Sequence, residues 1–415
     1  MTRSKIMCLV WVLLAWSGLI ACQVTGDEYA AASLPTLITT RQPTEATTTP
    51  TLTSVPPPVL PVLPTPTPSL VSTVTIVLPT NAPNAAAINP TQMIPGLIGP
   101  SDYPADVNPL TGETVNNPAV LARRPLAIKI SNYPPLVRPQ AGLNNADLIF
   151  EHYAEGGVTR FTAIFYSQDA DPVGSIRSGR LIDLEIPKMY DAALAYSGSS
   201  GPVQEMIRTA SFFDRVISPD FGHSGFYRIE NATIALEHTL FTDTPTLHYL
   251  LGLRGQDTPP QLPQGMAFLA TIPPGGTDHI NRIELQYRGT NVFWQYNGGS
   301  SRYTRWTDGQ PHLDANTGQQ LNFRNIVVLG AHHEDTEILE DLVDGGHYSI
   351  QIQIWGEGPV SIFRDGQRFE GIWRRANESD MLTFYDVAGN ILPLAPGNTF
   401  FQIVPLGFEH LTVSP

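Results

Sequence analysis

The sequence predicts an α+β (or α/β) domain followed by a mainly antiparallel β domain. Between residues 101 and 256, alternating apolar segments typical of strands are mixed with segments of helical character. From residue 266 onward, almost every apolar segment alternates and is followed by a glycine-containing turn. Hydrophobic residues make up 42% of the chain, which is enough to build one or two cores in a folded portion of about 300 residues.

The first 22 residues have the features of a bacterial lipoprotein signal peptide. Arg3 and Lys5 precede an uncharged apolar run at 6–21, which has the length of a signal-peptide core. The run ends in Leu19-Ile20-Ala21-Cys22, which matches a lipobox. The alternatives are an ordinary secretory signal with a chance cysteine and a transmembrane anchor. We predict an extracytoplasmic protein that is lipid-anchored to the bacterial membrane through Cys22.

Residues 23–100 predict an extended stalk. Fifteen of these 78 residues are proline and 16 are threonine, and no charged residue occurs from Ala46 to Ser101. Proline lacks a backbone donor and fixes φ, so helices and central strands are excluded. A disordered stalk rich in polyproline-II conformation is the expected result.

Cysteine and charge content exclude several kinds of site. Cys8 and Cys22 are the two cysteines, and Cys8 is removed with the signal peptide, so the mature chain has no disulfide, thiolate zinc site or cysteine nucleophile. The net charge of −14 argues against nucleic acid as a partner. The histidine-containing segment 331–341 lacks the HExxH spacing and is predicted to be a solvated, acidic connection. We therefore predict no metal and no cofactor.

The first folded segment, residues 101–256, mixes strands and helices. Its predicted elements are strands at 125–132, 146–154, 158–167 and 192–200, and helices at 201–213 and 244–255. Gly156-Gly157 separates the second and third strands and indicates a hairpin. Pro202 and Pro245 suit the first turns of the two helices.

The second folded segment, residues 266–415, follows a Pro-rich break at 257–265 and is predicted to be a sandwich or a strongly curled sheet. Its predicted strands are 282–288, 292–297, 301–306, 325–332, 347–356, 359–375 with an internal turn, 382–394 and 399–405. The intervening NGG, DG, AGN and PGN turns favour antiparallel neighbours.

Charged residues collect around the predicted hairpin. If Gly156-Gly157 is a two-residue turn, alternation along the strands places four polar residues on one face: Glu151, Tyr153, Glu155 and Arg160. His152 would then lie on the opposite, apolar face. Three further arginines lie in nearby loops: Arg138, Arg177 and Arg180.

Two interpretations of this charge remain open. The first is a cross-strand ion-pair ladder of Glu151, Arg160 and Glu155. The second is a ligand-binding cleft, because guanidinium groups suit carboxylates and phosphates. Its ligand would be an anionic cell-wall polymer or an envelope protein partner, and its predicted residues are Arg138, Glu151, Glu155, Arg160, Arg177 and Arg180.

The alternative function is that of a hydrolase or transferase acting on cell-wall glycan or peptide. Glu151 and Glu155 would lie about 13 Å apart by strand rise, beyond the roughly 5–9.5 Å of glycosidase carboxylates. Glu151 with Asp147, or Glu155 with a distant partner, stays open. The serines in Gly198-Ser199-Ser200-Gly201 miss the GxSxG spacing and favour a helix N-cap role. No catalytic residue is predicted.

Separate motifs along the folded part carry a family resemblance. In the first segment they are PLAIKISN, RPQAGLNNADLIFEHYAEGGVTRFTAIFYS and GSIRSGR; in the second they are RYTRWTDGQPHLDANTG, RNIVVL, GPVSIFRDGQRFEGIWRR and LAPGNTFFQIVP. In this order, over about residues 103–410, they resemble the YerB-like bacterial lipoproteins. The resemblance implies a lipid-anchored envelope protein with a two-part domain of unknown biochemical role. It assigns no catalytic residue, and the long Pro/Thr stalk is not implied by it.

Overall fold

The computed structural model describes residues 94–277 and 279–415. These residues belong to one compact unit, Leu78–Pro415. The predicted signal peptide, Cys22 and nearly all of the predicted stalk lie outside the described residues. Within the two described ranges, no helix has the length and apolar character needed to cross a membrane.

Strands dominate the described part of the chain. In order they are β1 (Leu126–Ser131), β2 (Leu148–Tyr153), β3 (Thr159–Phe165), β4 (Val173–Gly174), β5 (Ala193–Ala195), β6 (Val216–Ile217), β7 (Tyr227–Arg228), β8 (Leu240–Thr242), β9 (Arg282–Gln286), β10 (Asn291–Asn297), β11 (Arg302–Thr307), β12 (Gln310–Pro311), β13 (Asn322–Phe323), β14 (Asn325–Asp341), β15 (His347–Gln353), β16 (Gly356–Arg364), β17 (Gln367–Arg375), β18 (Thr383–Asp386), β19 (Thr399–Pro405) and β20 (Leu411–Ser414). Mixed elements in the first segment and mainly antiparallel strands in the second confirm the predicted fold class.

Three α-helices accompany the strands in the described ranges: α1 (Ile186–Met189), α2 (Gly201–Arg208) and α3 (Thr244–Leu253). α2 and α3 begin at the predicted residues. The side chain of Asp243 accepts the backbone N–H of Thr246 at 2.7 Å and so caps α3. Short 3-10 turns, among them Leu181–Leu184, fill several connections.

The main sheet contains strands from both segments of the chain. Its order is β18-β17-β16-β14-β19-β2-β3-β1-β5-β6, and β15 pairs with β14 beside this path. The two segments meet where β19 lies between β14 and β2, parallel to both. The strands β14, β19, β2, β1, β5 and β6 all run in one direction. Their carboxyl ends therefore lie at one edge of the sheet.

A second sheet packs against one face of the main sheet. Its order is β12-β11-β10-β9-β20, with β13 paired to β11, and all of its pairs are antiparallel. Trp294 and Phe323 of this sheet contact Phe400 of the main sheet, with ring centroids 4.8 and 5.2 Å apart. The strands β4, β8 and β7 form a small third sheet.

Helices α1 and α2 cover the other face of the main sheet. Ile186, Met189, Val203 and Ile207 are fully buried there in one core with the sheet residue Phe150. Burying a large apolar side chain stabilises the fold by about 1.5–3 kcal/mol. The main sheet thus has a helical layer on one side and a β layer on the other.

The strand β14 is longer than predicted. Its first part, through residue 331, pairs with β19, and residues 332–341 pair with β15. The prediction of a solvated connection at residues 331–341 is wrong, because residues 332–341 are a strand that pairs with β15. We call residues 332–353 the arm. Along it, Thr336 and Ile338 are partly buried while Asp335, Glu337 and Leu339 are exposed, which is strand alternation.

The loop of the predicted hairpin is longer than two residues. The backbone N–H of Ala154 donates to the carbonyl of Val158 at 2.8 Å, and three residues, Glu155–Gly157, form a single 3-10 turn between them. Gly156 and Gly157 have φ of 70° and 76°, a left-handed conformation that glycine adopts without a steric cost.

The longer loop changes the register by one residue. His152 is opposite Arg160, and Glu151 is opposite Phe161. Because side chains alternate with a period of two, this difference moves Arg160 to the face of His152 and leaves Glu151 and Tyr153 on the other face. The prediction that Glu151, Tyr153 and Arg160 share a face is wrong, and so is the prediction that His152 lies on the face opposite to Arg160.

Candidate functional site

The candidate site lies at the edge where the parallel strands end. The loops after β2 and β5 begin there, and the antiparallel strand β3 starts there. In open sheets of parallel strands, ligands bind outside the carboxyl ends of the strands. Two loops meet at this edge, one with Glu155 after β2 and one with Arg177 and Arg180 after β4.

Glu155 is held between two arginines. Arg160 Nη2 donates to Glu155 Oε1, while Arg180 donates its Nε to Oε2 at 2.6 Å and its Nη2 to Oε1. The three side chains are 8–9% exposed. Burial alone raises the pKa of Glu155, but Arg160 and Arg180 outweigh it and hold the pKa at about 2. Glu155 is therefore a permanent anion near neutral pH.

A second buried carboxylate completes this pairing from the arm. Glu340 Oε2 lies 3.4 Å from Arg180 Nη1, and the Glu340 side chain is 2% exposed. Ser200, the residue before α2, donates its hydroxyl to Glu340 Oε1 at 3.0 Å, and Ser349 donates to the same oxygen. Ser200 occupies the predicted N-cap position, but its side chain makes no cap hydrogen bond. Its hydroxyl instead ties α2 to the arm.

Arg177 is the exception among these arginines. Its backbone is fixed, because its N–H donates to Lys129 O at 3.0 Å and its carbonyl accepts from Ser197 N–H at 3.1 Å. Its half-buried side chain makes no ion pair or hydrogen bond with any described residue, and its Nε is buried without a partner. Burial lowers the pKa of Arg177, and the nearby charge of Glu237 opposes this. We call Glu155, Arg160, Arg177, Arg180 and Glu340 the arginine cluster.

A fully buried polar group lies beside the arginine cluster. Lys129 Nζ contacts Asp183 Oδ2 at 2.7 Å, His152 Nε2 at 2.8 Å and Thr162 Oγ1 at 3.1 Å. Burial lowers the pKa of Lys129 to about 8, against the opposing charge of Asp183. Asp183 also accepts the backbone N–H of Arg180 at 2.7 Å. The buried group thus fixes the loop that carries Arg177 and Arg180.

Sequence reasoning missed this buried group, although a signal was present. Lys129 is one of three lysines in the chain and the one charged residue in the alternating strand segment 125–132. A lysine at an apolar position of a strand needs a buried counter-charge. Asp183, which supplies it, is 54 residues away along the chain, and no local pattern marks it.

Glu151 and Arg138 lie in a different network on the opposite face of the main sheet. Glu151 Oε2 pairs with Arg305 Nη2 at 2.8 Å, and both side chains are fully buried. Asn132 donates to Glu151 at 3.1 Å and accepts from Arg138 Nε at 3.2 Å. Arg138 also pairs with Asp308 at 2.6 Å. The structure therefore brings together Glu155, Arg160 and Arg180 but separates Glu151 and Arg138 from them.

The carboxylates named for a hydrolase are already engaged. Asp147 accepts the backbone N–H groups of Tyr166 and Ser167 at 2.6 and 3.0 Å, as well as a bond from Asn108 at 2.8 Å. Glu151 is bound to Arg305 and Glu155 to two arginines. Pairing Glu151 with Asp147 gives no acid–base pair, because both carboxylates are buried and held as acceptors. The first interpretation, an ion-pair ladder of Glu151, Arg160 and Glu155, fails for Glu151, which pairs with Arg305, while Arg160 and Glu155 do pair.

With this geometry established, comparisons place the chain among known proteins. Residues 110–255 match the protein of unknown function (DUF3048) N-terminal domain, and residues 283–401 match the corresponding C-terminal domain. A relative from Bacillus subtilis (strain 168) named "Putative lipoprotein YerB" is 30% identical over 307 residues, covering 72% of this chain and 86% of the relative. The chain belongs to the YerB-like family.

The structure of a YerB-like protein has the same fold. A crystal structure of YerB from Bacillus subtilis matches with a TM-score of 0.63 and 25% identity, covering 74% of this chain and 99% of that one. The matches confirm the predicted YerB-like family and its two-domain organisation. The two family domains correspond to the two predicted segments, yet both contribute strands to the main sheet. The relative's printed name agrees with the predicted lipoprotein class.

Proposed function

We propose that this YerB-like chain is a lipid-anchored, extracytoplasmic envelope protein that binds an anionic cell-wall polymer through Arg177 of the arginine cluster. Two observations support the anchoring: the lipobox ending at Cys22, and the similarity to a Bacillus subtilis relative named as a putative lipoprotein. Attachment through several acyl chains gives stable membrane binding.

The single observation that carries the ligand proposal is the unpartnered side chain of Arg177. Arg160 and Arg180 are neutralised by Glu155 and Glu340. Within the described residues, this leaves Arg177 as the positive group of the cluster without a bonded anion. A guanidinium with a buried, unsatisfied donor gains most from a ligand that accepts a charge-assisted hydrogen bond, such as a phosphate or a carboxylate.

Binding should be measured with the full-length chain in detergent micelles. The probes are poly(glycerol phosphate) and poly-L-glutamate, which carry phosphate and carboxylate groups respectively. We expect Arg177→Gln to weaken binding of one or both by about tenfold or more, because a hydrogen bond to a charged group contributes about 1.5–3 kcal/mol and about 1.4 kcal/mol corresponds to a factor of ten. The affinity should also fall as salt is added.

Arg208→Gln is the matched control. Arg208 lies on α2, carries the same charge and already pairs with Glu205 at 3.3 Å. If both substitutions weaken binding equally, the effect is general electrostatics and the proposed role of Arg177 is wrong. If neither polymer binds the unmodified chain, the proposal fails and a protein partner becomes the leading alternative.

The anchoring has its own test. Cys22→Ala should abolish incorporation of labelled palmitate in expressing cells, whereas the unmodified chain should be labelled and should partition into the detergent phase of Triton X-114. Retention of the label in the variant would contradict lipidation at Cys22.

A further inference from the structure

A cavity of about 560 Å³ lies between the hairpin loop and the arm. Its walls come from three parts of the chain that are distant in sequence: the loop Glu155–Gly157, the connection at Arg288, and the arm. The volume falls within the roughly 300–1,000 Å³ typical of small-molecule sites. We call it the loop cavity. Arg177 is not among its lining residues.

The two glycines of the hairpin loop shape one wall of this cavity. A Cβ at Gly156 would lie 3.3 Å from His347 Cε1, and a Cβ at Gly157 would lie 3.0 Å from Arg288 Cβ. Both contacts are tight, and both glycines have positive φ. Glycine at these positions therefore lets the imidazole and the arginine stem pack directly on the loop backbone.

Arg288 supplies a positive group with no bonded anion. Among the arginines of the described residues, only Arg177 and Arg288 have a side chain without a hydrogen bond or ion pair to a described residue. The Arg288 side chain is exposed and lines the loop cavity. The carboxylate of a ligand could accept two hydrogen bonds from the planar Arg288 guanidinium at this position.

Two histidines present acceptor nitrogens around the same cavity. His333 Nδ1 lies 3.0 Å from Ala331 O, so Nδ1 carries the proton and the buried Nε2 is left as an acceptor without a partner. Burial lowers the pKa of His333 to about 4, which keeps the ring neutral. His347 Nδ1 lies 2.9 Å from Asp341 Oδ1, so in the neutral ring Nδ1 donates to the carboxylate and Nε2 is the second acceptor. Acceptors of this kind are complementary to ligand hydroxyl groups.

Aromatic rings complete the lining. The Tyr153 hydroxyl accepts the backbone N–H of Arg288 at 3.3 Å, so its own proton can be donated to a ligand. Tyr348 is 46% exposed and lines the same cavity. Tyrosine offers an apolar ring face beside a polar group, which suits a ligand with both kinds of surface. One cation, two imidazoles, one hydroxyl and an exposed ring face therefore line the loop cavity. Two carboxylates also line it: Glu155, which is paired with Arg160 and Arg180, and Asp335.

We propose that the loop cavity binds an acidic sugar, whose carboxylate meets Arg288 and whose hydroxyl groups donate to His333 and His347. The ring of the sugar lies against Tyr348. The proposed ligand contacts do not involve Arg177, which does not line the loop cavity, although Glu155 belongs both to the arginine cluster and to the cavity wall.

To test this, the full-length chain in detergent micelles is titrated with D-glucuronate. Isothermal calorimetry and saturation-transfer NMR measure the binding. We expect binding that weakens about tenfold in Arg288→Gln, since a charge-assisted hydrogen bond is lost. Methyl β-D-glucoside, which lacks the carboxylate, should bind more weakly than glucuronate and be insensitive to Arg288→Gln. Tyr348→Ala should weaken both sugars.

Two controls separate this site from the arginine cluster and from general charge effects. Arg282→Gln removes the same charge from β9, where Arg282 pairs with Glu284, and should leave glucuronate binding unchanged. Arg177→Gln should also leave it unchanged, while Arg288→Gln should not affect polymer binding. Any of three results would overturn the proposal. Glucuronate does not bind, both sugars bind equally well, or glucuronate binding is lost in Arg177→Gln instead of in Arg288→Gln.

Discussion

Replacing Glu155 with glutamine should destabilise the fold by roughly 3 kcal/mol at pH 7. The substitution keeps the shape of the side chain but removes the charge that neutralises Arg160 and Arg180. The pKa of Glu155 lies at about 2 instead of the usual 4.5, and each pKa unit corresponds to about 1.4 kcal/mol. Removing one partner of a buried ion pair typically costs about 3–5 kcal/mol, which agrees with this magnitude.

The sign of the pH dependence gives a second readout. Because the folded-state pKa of Glu155 is depressed, its stabilisation is fully present above pH 4.5 and is lost as the pH falls toward 2. Urea unfolding curves of the unmodified chain and Glu155→Gln should therefore differ at pH 7 and converge as the pH approaches 2. The free energy of unfolding at each pH is the quantity to compare.

Glu284→Gln is the matched control for this experiment. Its carboxylate pairs with Arg282, but the two side chains are 47% and 35% exposed, so the loss should stay below about 1 kcal/mol. The reasoning would be refuted if Glu155→Gln also lowered the free energy of unfolding by less than about 1 kcal/mol. It would also be refuted if the difference in that free energy between the unmodified chain and Glu155→Gln did not change with pH.

Two further predictions concern the core around the site. The pKa of His152 is lowered to about 3 by burial and by Lys129. The free energy of unfolding should therefore fall by up to about 1.4 kcal/mol per pH unit as the pH drops below 6.5. In urea titrations between pH 6.5 and 4.5, the free energy of unfolding of His152→Gln should depend less steeply on pH than that of the unmodified chain, and an equal dependence would contradict the assignment. A Cβ at Gly371 would clash with the carbonyl oxygen of Tyr385, so Gly371→Ala should lower the melting temperature by several degrees. Gly201 has open space around it, so Gly201→Ala should leave the melting temperature nearly unchanged. Equal melting temperatures for the two variants would show that the strand tolerates the methyl group.

Local patterns were sufficient to predict most elements of the fold. TFFQIVP predicts the strand at residues 399–405, and the structure has β19 at those residues. Thr244-Pro245 predicts the start of α3, which begins at Thr244. These features depend on alternation and capping, which neighbouring residues determine. The parallel pairing of β19 with β14 and β2 was not predicted, because pairing partners are chosen by contacts distant in sequence.

The candidate site was only partly predictable for the same reason. Gly156-Gly157 correctly indicates a hairpin, but a single additional loop residue inverts the relation between Glu151 and Arg160. The partner of Glu151 is Arg305, 154 residues away. A charged residue in a buried strand indicates that it needs a partner of opposite charge, but its position in the sequence does not identify that partner.

The position of β19 also determines the order in which the sheet can be completed during synthesis. β14 and β2 are separated by 171 residues or more of chain, and each leaves one edge unpaired until residues 399–405 lie between them. A chain that ends before residue 399 would keep every charged residue of the arginine cluster. It would nevertheless expose two open strand edges, which can pair with another polypeptide and promote aggregation.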